Sequence, residues 1–207
     1  MDEPVRAVGV VAALTAVTVS VAHFLAVVVF DRDQPWLQAG TADSLWEWAA
    51  TSALGLCALA AAALALSGDV ARPRWTVVAV GLFLAFLADA FAVSDRVGNA
   101  ANAGIVLVLA VVLVLLWSLA KTLGPSASTA RVALVLLVGS VAFRVAEPLF
   151  DSLDLEHGDV AYEAKVVAKH VLELTGWLLL ALALVPEALS RSRGPARRAA
   201  AEDGGTG

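Results

Sequence analysis

The sequence predicts an all-α integral membrane bundle of about six transmembrane helices, and three observations lead there. The first is composition: of 207 residues, 60% are hydrophobic and 16% charged, with a mean hydropathy of +0.82. Soluble domains hold roughly 45–50% apolar residues. The second is that the apolar residues come in continuous runs rather than in alternation, each near the ~20 residues a helix needs to cross the hydrocarbon. Backbone groups in lipid must bond within their own segment, which leaves helices as the form for such runs. The third is the connections, which are short and marked by Gly, Pro, Ser and Asp, as turns between up-and-down neighbours are.

The spans fall at roughly 7–30, 45–67, 75–94, 102–121, 130–150 and 165–189. The first follows the acidic start "MDEPVR"; its apolar run is too long for a signal-peptide core and precedes no small-x-small cleavage pattern, so it reads as a retained span. The second, "ATSALGLCALAAAALALSG", is rich in Gly and Ala, which allow close helix approach and predict a central position. The third ends in "LFLAFLADAFAV". The fourth, "AGIVLVLAVVLVLLWSLA", carries almost no polar atom and is expected to face lipid. In the fifth, Pro148 follows Glu147 and removes the N–H that would bond the Arg144 carbonyl, which predicts a kink. The sixth leads into residues 191–207, an Ala/Gly/Arg-rich stretch expected to be a disordered cytoplasmic tail, so residues 1–190 form one transmembrane domain.

Orientation follows from Lys and Arg in the short loops. Arg6, Arg72, Arg74, Lys121, Arg131 and the arginines from Arg191 onward share one side; Arg32 and Arg96 stand opposite among many acids. Both termini are therefore expected in the cytoplasm, in a multi-pass protein of the cell membrane. Trp46 and Trp48 suit the outer aromatic belt, Trp75 and Trp117 the inner. A net charge of −5 and scattered basic residues argue against nucleic acid, and no nucleotide fingerprint or nucleophile elbow is present. The single cysteine, Cys57, excludes an intrachain disulfide or CxxC pair and reads as a small buried hydrophobe.

Alternating the direction of the spans puts every ionisable intramembrane residue in the outer half: His23, Glu47, Asp89, Arg144, Glu147, Lys165, Lys169, His170 and Glu173. Ser140, Arg144, Glu147 and Asp151 share one helical stripe, and Lys165, Lys169 and Glu173 another. Such stripes must face protein or water, because a charge at the bilayer centre costs roughly 2.5–3.5 kcal/mol on insertion scales. Plainer readings stand beside the functional ones. Arg144 and Glu147 suit an interfacial pair, Lys165 and Lys169 a helix extension outside the bilayer, Glu47 a helix-start carboxylate, and His23 a hydrogen-bonded core histidine. Asp89 has no such local explanation.

The exit of the third span, "FLADAFAVSDRVG", with "SLWEWAATSAL" and "ELTGWLLLALAL", resembles a family of uncharacterised small multi-pass membrane proteins of prokaryotes. Its motif pairs two adjacent acids with a His-acid pair five residues on. Ala88 stands at the first acid and Ser94 at the histidine, so Asp89 and Asp95 alone carry over, and the resemblance implies no activity. Membrane-embedded metal hydrolases of the alkaline ceramidase kind need several histidines, and His170-x-x-Glu173 with His23 falls short of their set.

The functional expectation is an outward-facing charged pocket, with Asp89, Glu47, Arg144, Glu147, Lys169 and Glu173 as candidates, binding a ligand, a lipid head group or a divalent metal. For a metal, the donors would be His170, Glu173 and His23. The alternative is a non-enzymatic accessory or structural protein whose charges fix helix packing, with a membrane-protein partner or a second copy. Ion or proton transport ranks third, since a path needs polar stations in both halves. Two histidines are thin support for haem, and no reaction is assigned.

Overall fold

A computed structural model describes residues 3–30, 32–39, 44–67, 71–91, 99–146 and 159–203, and these are all-helical apart from turns, with no strand among them. Helix α1 is Glu3–Phe24, extended by one π turn over Leu25–Val29. A 3₁₀ turn at Pro35–Leu37 precedes α2, Leu45–Leu66. Then come α3, Arg72–Ala90, and α4, Asn99–Leu119. A 3₁₀ segment at Ala120–Ser126 leads to α5, Ala127–Val145, and α6 is Val160–Asp203.

Five helical runs are long and apolar enough to cross a membrane: Val8–Val29, Leu45–Leu66, Arg72–Ala90, Gly104–Val145 and Val160–Ser192. The fourth is 42 residues long, where the sequence analysis places two spans at 102–121 and 130–150. It is not straight. Gly124 has φ 54° and ψ −123°, a conformation open to glycine and closed to most L-residues, and Pro125 follows it. The chain folds back there and α4 packs on α5, with Leu109 and Leu113 of α4 lining one cavity with Leu137 and Val141 of α5. Arg191 of α6 braces the turn, donating to the Thr122 carbonyl at 2.8 Å while its Nε holds Glu187 at 2.7 Å.

α2 and α6 form the central pair. α3 packs on α2 and α5 on α6; α4 closes the ring by touching α3 and α5, and α1 lies outside against α6. The small residues of α2 explain its place: Ala53, Cys57, Ala60, Ala61 and Leu64 are buried, and Cys57 Sγ lies 3.6 Å from the Trp177 carbonyl of α6. Gly176 lets α5 and α6 approach, since a Cβ there would sit 2.7 Å from Leu137 Cγ. α4 turns Leu107, Val111, Val114 and Trp117 outward and buries Val112, Leu116 and Leu119, as expected of a peripheral helix. α6 continues to Asp203, where the sequence analysis expects a disordered tail; the Ala and Arg residues of this stretch are strong helix formers. The proposed kink at Pro148 lies outside the described residues.

Candidate functional site

The sequence-predicted site residues that fall among the described ones, His23, Glu47, Asp89, Arg144, Lys169, His170 and Glu173, lie toward the end of the bundle where α1, α3 and α5 finish and α2, α4 and α6 begin. Two sub-sites form there.

The first joins α1 to α6. His23 is 5% exposed, and its Nδ1 accepts the Ala39 N–H at 3.1 Å. That leaves Nε2 to carry the proton and donate to Glu163 Oε2, 2.8 Å away. The other carboxylate oxygen, Glu163 Oε1, accepts from Arg32 Nη2 at 2.5 Å. Arg32 adopts a left-handed φ of 65°, held by its N–H on the Ala26 carbonyl at 2.8 Å and by Gln38 Nε2 on its own carbonyl at 2.9 Å. Trp46 of α2 donates from Nε1 to the Leu37 carbonyl at 2.9 Å. The segment 32–39 is thereby stapled to α1, α2 and α6.

The second lies inside the ring. A cavity of about 40 Å³ is walled by Leu54 of α2, Ala88 and Asp89 of α3, Ile105 of α4, Arg144 of α5, and Glu173 and Trp177 of α6. A neighbouring cavity of about 30 Å³ shares Arg144, Glu173 and Trp177 with it and adds Ser140. Each exceeds the roughly 10–15 Å³ that admits a water molecule. Thr51 of α2 donates its hydroxyl to Asp89. No hydrogen bond, and no ion pair within 4 Å, joins the Arg144 guanidinium or the Glu173 carboxylate to another described residue. The two are nevertheless within electrostatic reach of each other.

The remaining candidates arrange themselves around this core. Glu47 feels Asp89, Glu173, Lys169 and Arg144, and its backbone N–H bonds the Ser44 hydroxyl at 3.2 Å, so it also occupies the first turn of α2. Lys169 acts on Glu47 and Glu173 through space without lining either cavity. His170 is 9% exposed and near Arg144 and His23. Glu147 lies outside the described residues, as does Asp95 of the resemblance motif.

For the metal set, both ring nitrogens of His23 are engaged as above, and no three His, Cys, Asp or Glu among the described residues converge on one point. His170 lies near His23 and one turn before Glu173 on α6, and the three do not form a ligand cage. Arg32 and Glu163 are not among the predicted site residues because both fall between the predicted spans, after 7–30 and before 165–189. A usable signal was present: Glu163 and His170 are seven residues apart and share a face of α6. Comparison of the chain with protein-family models, with curated proteins and with solved structures finds no match.

Proposed function

We propose that the chain is a six-span protein of the cell membrane with both termini in the cytoplasm, and that its cavity beneath the outer surface binds a polar group bearing an anionic oxygen. One observation carries the reading: Arg144 and Glu173 face a shared pair of cavities without bonding each other. Removing two ions from water costs several kcal/mol each, and a structural pair offsets this by close contact and hydrogen bonds. Charges kept apart around a small polar space suit a guest that completes both. The structural role favoured by the alternative reading belongs better to Arg32, Glu163 and His23, which do bond directly. A polar organic group is favoured over a metal by the lack of three convergent donors among the described residues.

The test is a set of thermal melts in detergent of the wild type, Arg144→Gln and Glu173→Gln, each with and without sn-glycero-3-phosphoethanolamine. Stabilisation of the wild type alone, with the apo variants melting close to it, supports the site. Apo variants that are each destabilised by the ~3–5 kcal/mol typical of a broken buried pair would assign these charges to packing instead.

A further inference from the structure

An apolar groove of about 290 Å³ runs between α3 and α4, on the side of the ring away from α6, lined by Leu84, Ala85, Ala88, Gly104, Ile105 and Val108. Three of these residues, Ala85, Ala88 and Ile105, also wall the charged cavity, so the two spaces are separated only by shared side chains. The groove opens outward: Leu84 is 52% and Val108 39% exposed, and a Cβ built on Gly104 would meet nothing within 4 Å. In a bundle that spans a bilayer, such an opening faces lipid.

Depth gives the groove a direction. Ala88 and Gly104 lie at the charged end of α3 and α4; Leu84 and Val108 lie one turn further from it, toward the middle of the helices. A molecule with its polar part at Arg144 and its tail running past Ala88 to Leu84 and Val108 would have the orientation of a lipid in the outer leaflet. The charges restrict the head group further. Of the charges that line the cavity, Arg144 suits a phosphate, whereas Asp89 and Glu173 suit a cation. An anionic lipid satisfies one half of this set and is repelled by the other.

Building on the binding site proposed above, we infer that its ligand is a zwitterionic phospholipid admitted sideways from the bilayer, phosphate toward Arg144, ammonium toward Glu173, and one acyl chain in the α3–α4 groove. Shared small residues at the boundary, Ala85 and Ala88, leave room for the glycerol region to pass. The inference commits the groove to an acyl chain because its wall is wholly apolar, its mouth faces hydrocarbon and its shallow end meets the charged cavity.

The experiment uses the purified full-length protein in detergent, with binding read by native mass spectrometry and by thermal shift. The probes are dioctanoyl phosphatidylethanolamine, dioctanoyl phosphatidylglycerol and the chain-free sn-glycero-3-phosphoethanolamine. The wild type is expected to bind the ethanolamine lipid more tightly than the glycerol lipid. Gly104→Leu fills the groove without touching the charged cavity, and leucine is the better helix former, so the fold is retained. It is expected to weaken the ethanolamine lipid about tenfold, the loss from about two methylenes leaving the groove, and to leave the chain-free probe unchanged. A Gly104→Leu protein that binds the lipid as the wild type does, while the chain-free probe still binds, overturns the groove and leaves the site standing. Equal affinity for the two lipids overturns the zwitterionic head group. Binding of none of the three probes by the wild type removes the site, and this inference with it.

Discussion

His23 shows how a buried ionisable side chain is given one protonation state by geometry. The Ala39 N–H points at Nδ1, so that nitrogen must offer a lone pair, and the proton sits on Nε2 facing Glu163. Glu163 then shares one negative charge between the imidazole N–H and the Arg32 guanidinium, and the three side chains form a unit of balanced charge. Glu163→Ala removes the acceptor from both partners. With roughly 1.5–3 kcal/mol per hydrogen bond to a charged group, and the low end for Arg32 because it is one-third exposed, a loss of about 2–4 kcal/mol is expected. Glu163→Gln keeps an acceptor for His23 and should lose about half as much; denaturant melts of the two variants, read by circular dichroism, make the comparison. Thr51→Val leaves Asp89 without its hydroxyl donor and should lower stability by about 1–3 kcal/mol in the same assay, more than Thr76→Val at an exposed position. At this scale the sequence revealed residue types and missed pairings. His23 reads correctly as a hydrogen-bonded core histidine, yet its partner Glu163 is 140 positions away and nothing in local spacing links them.

Elements here are positioned by what their small residues permit. At Gly176 a Cβ would lie 2.7 Å from Leu137 Cγ and 3.2 Å from the Ala133 carbonyl oxygen; the leucine can rotate, the backbone oxygen cannot. Gly176→Ala is expected to separate α5 from α6 at a cost of about 1–3 kcal/mol, whereas Gly9→Ala, with nothing within 4 Å, should be neutral or slightly stabilising. Paired melts of the two alanine variants test this, and equal melting temperatures would mean that the α5–α6 contact is slack. The helices themselves were legible because continuous apolar runs leave one solution in lipid. Their ends were less so: α3 begins at Arg72 rather than near 75, because charged side chains can stay helical while reaching water. At the start of α2 the sequence analysis reads only the Glu47 carboxylate; the structure adds the Ser44 hydroxyl, which accepts the Glu47 N–H at 3.2 Å.

At the scale of the whole molecule, the decisive question is how often the 42-residue run Gly104–Val145 crosses the bilayer. A straight helix of that length would extend about 63 Å, twice the ~30 Å of hydrocarbon. Gly124, with its left-handed φ, divides it into α4 and α5, which pack against each other, and Lys121 and Arg131 flank the break. Two crossings there, as proposed above, would make six spans, return the C-terminus to the side of the N-terminus, and bring Asp89, Arg144 and Glu173 to one surface. A single crossing would put the termini on opposite sides and part Arg144 from Asp89, whereas the two line one cavity, which supports the six spans proposed above. The native Cys57 is fully buried, so introduced cysteines can report topology in its presence. A membrane-impermeant maleimide is expected to label Asp33→Cys on intact cells, and to label Ser126→Cys and Ser192→Cys only after permeabilisation. Labelling of Ser192→Cys on intact cells would reverse the orientation read from the arginines. Labelling of Ser126→Cys and Ser192→Cys from opposite sides would break the hairpin of α4 and α5, and with it the ring of helices that surrounds Arg144 and Glu173.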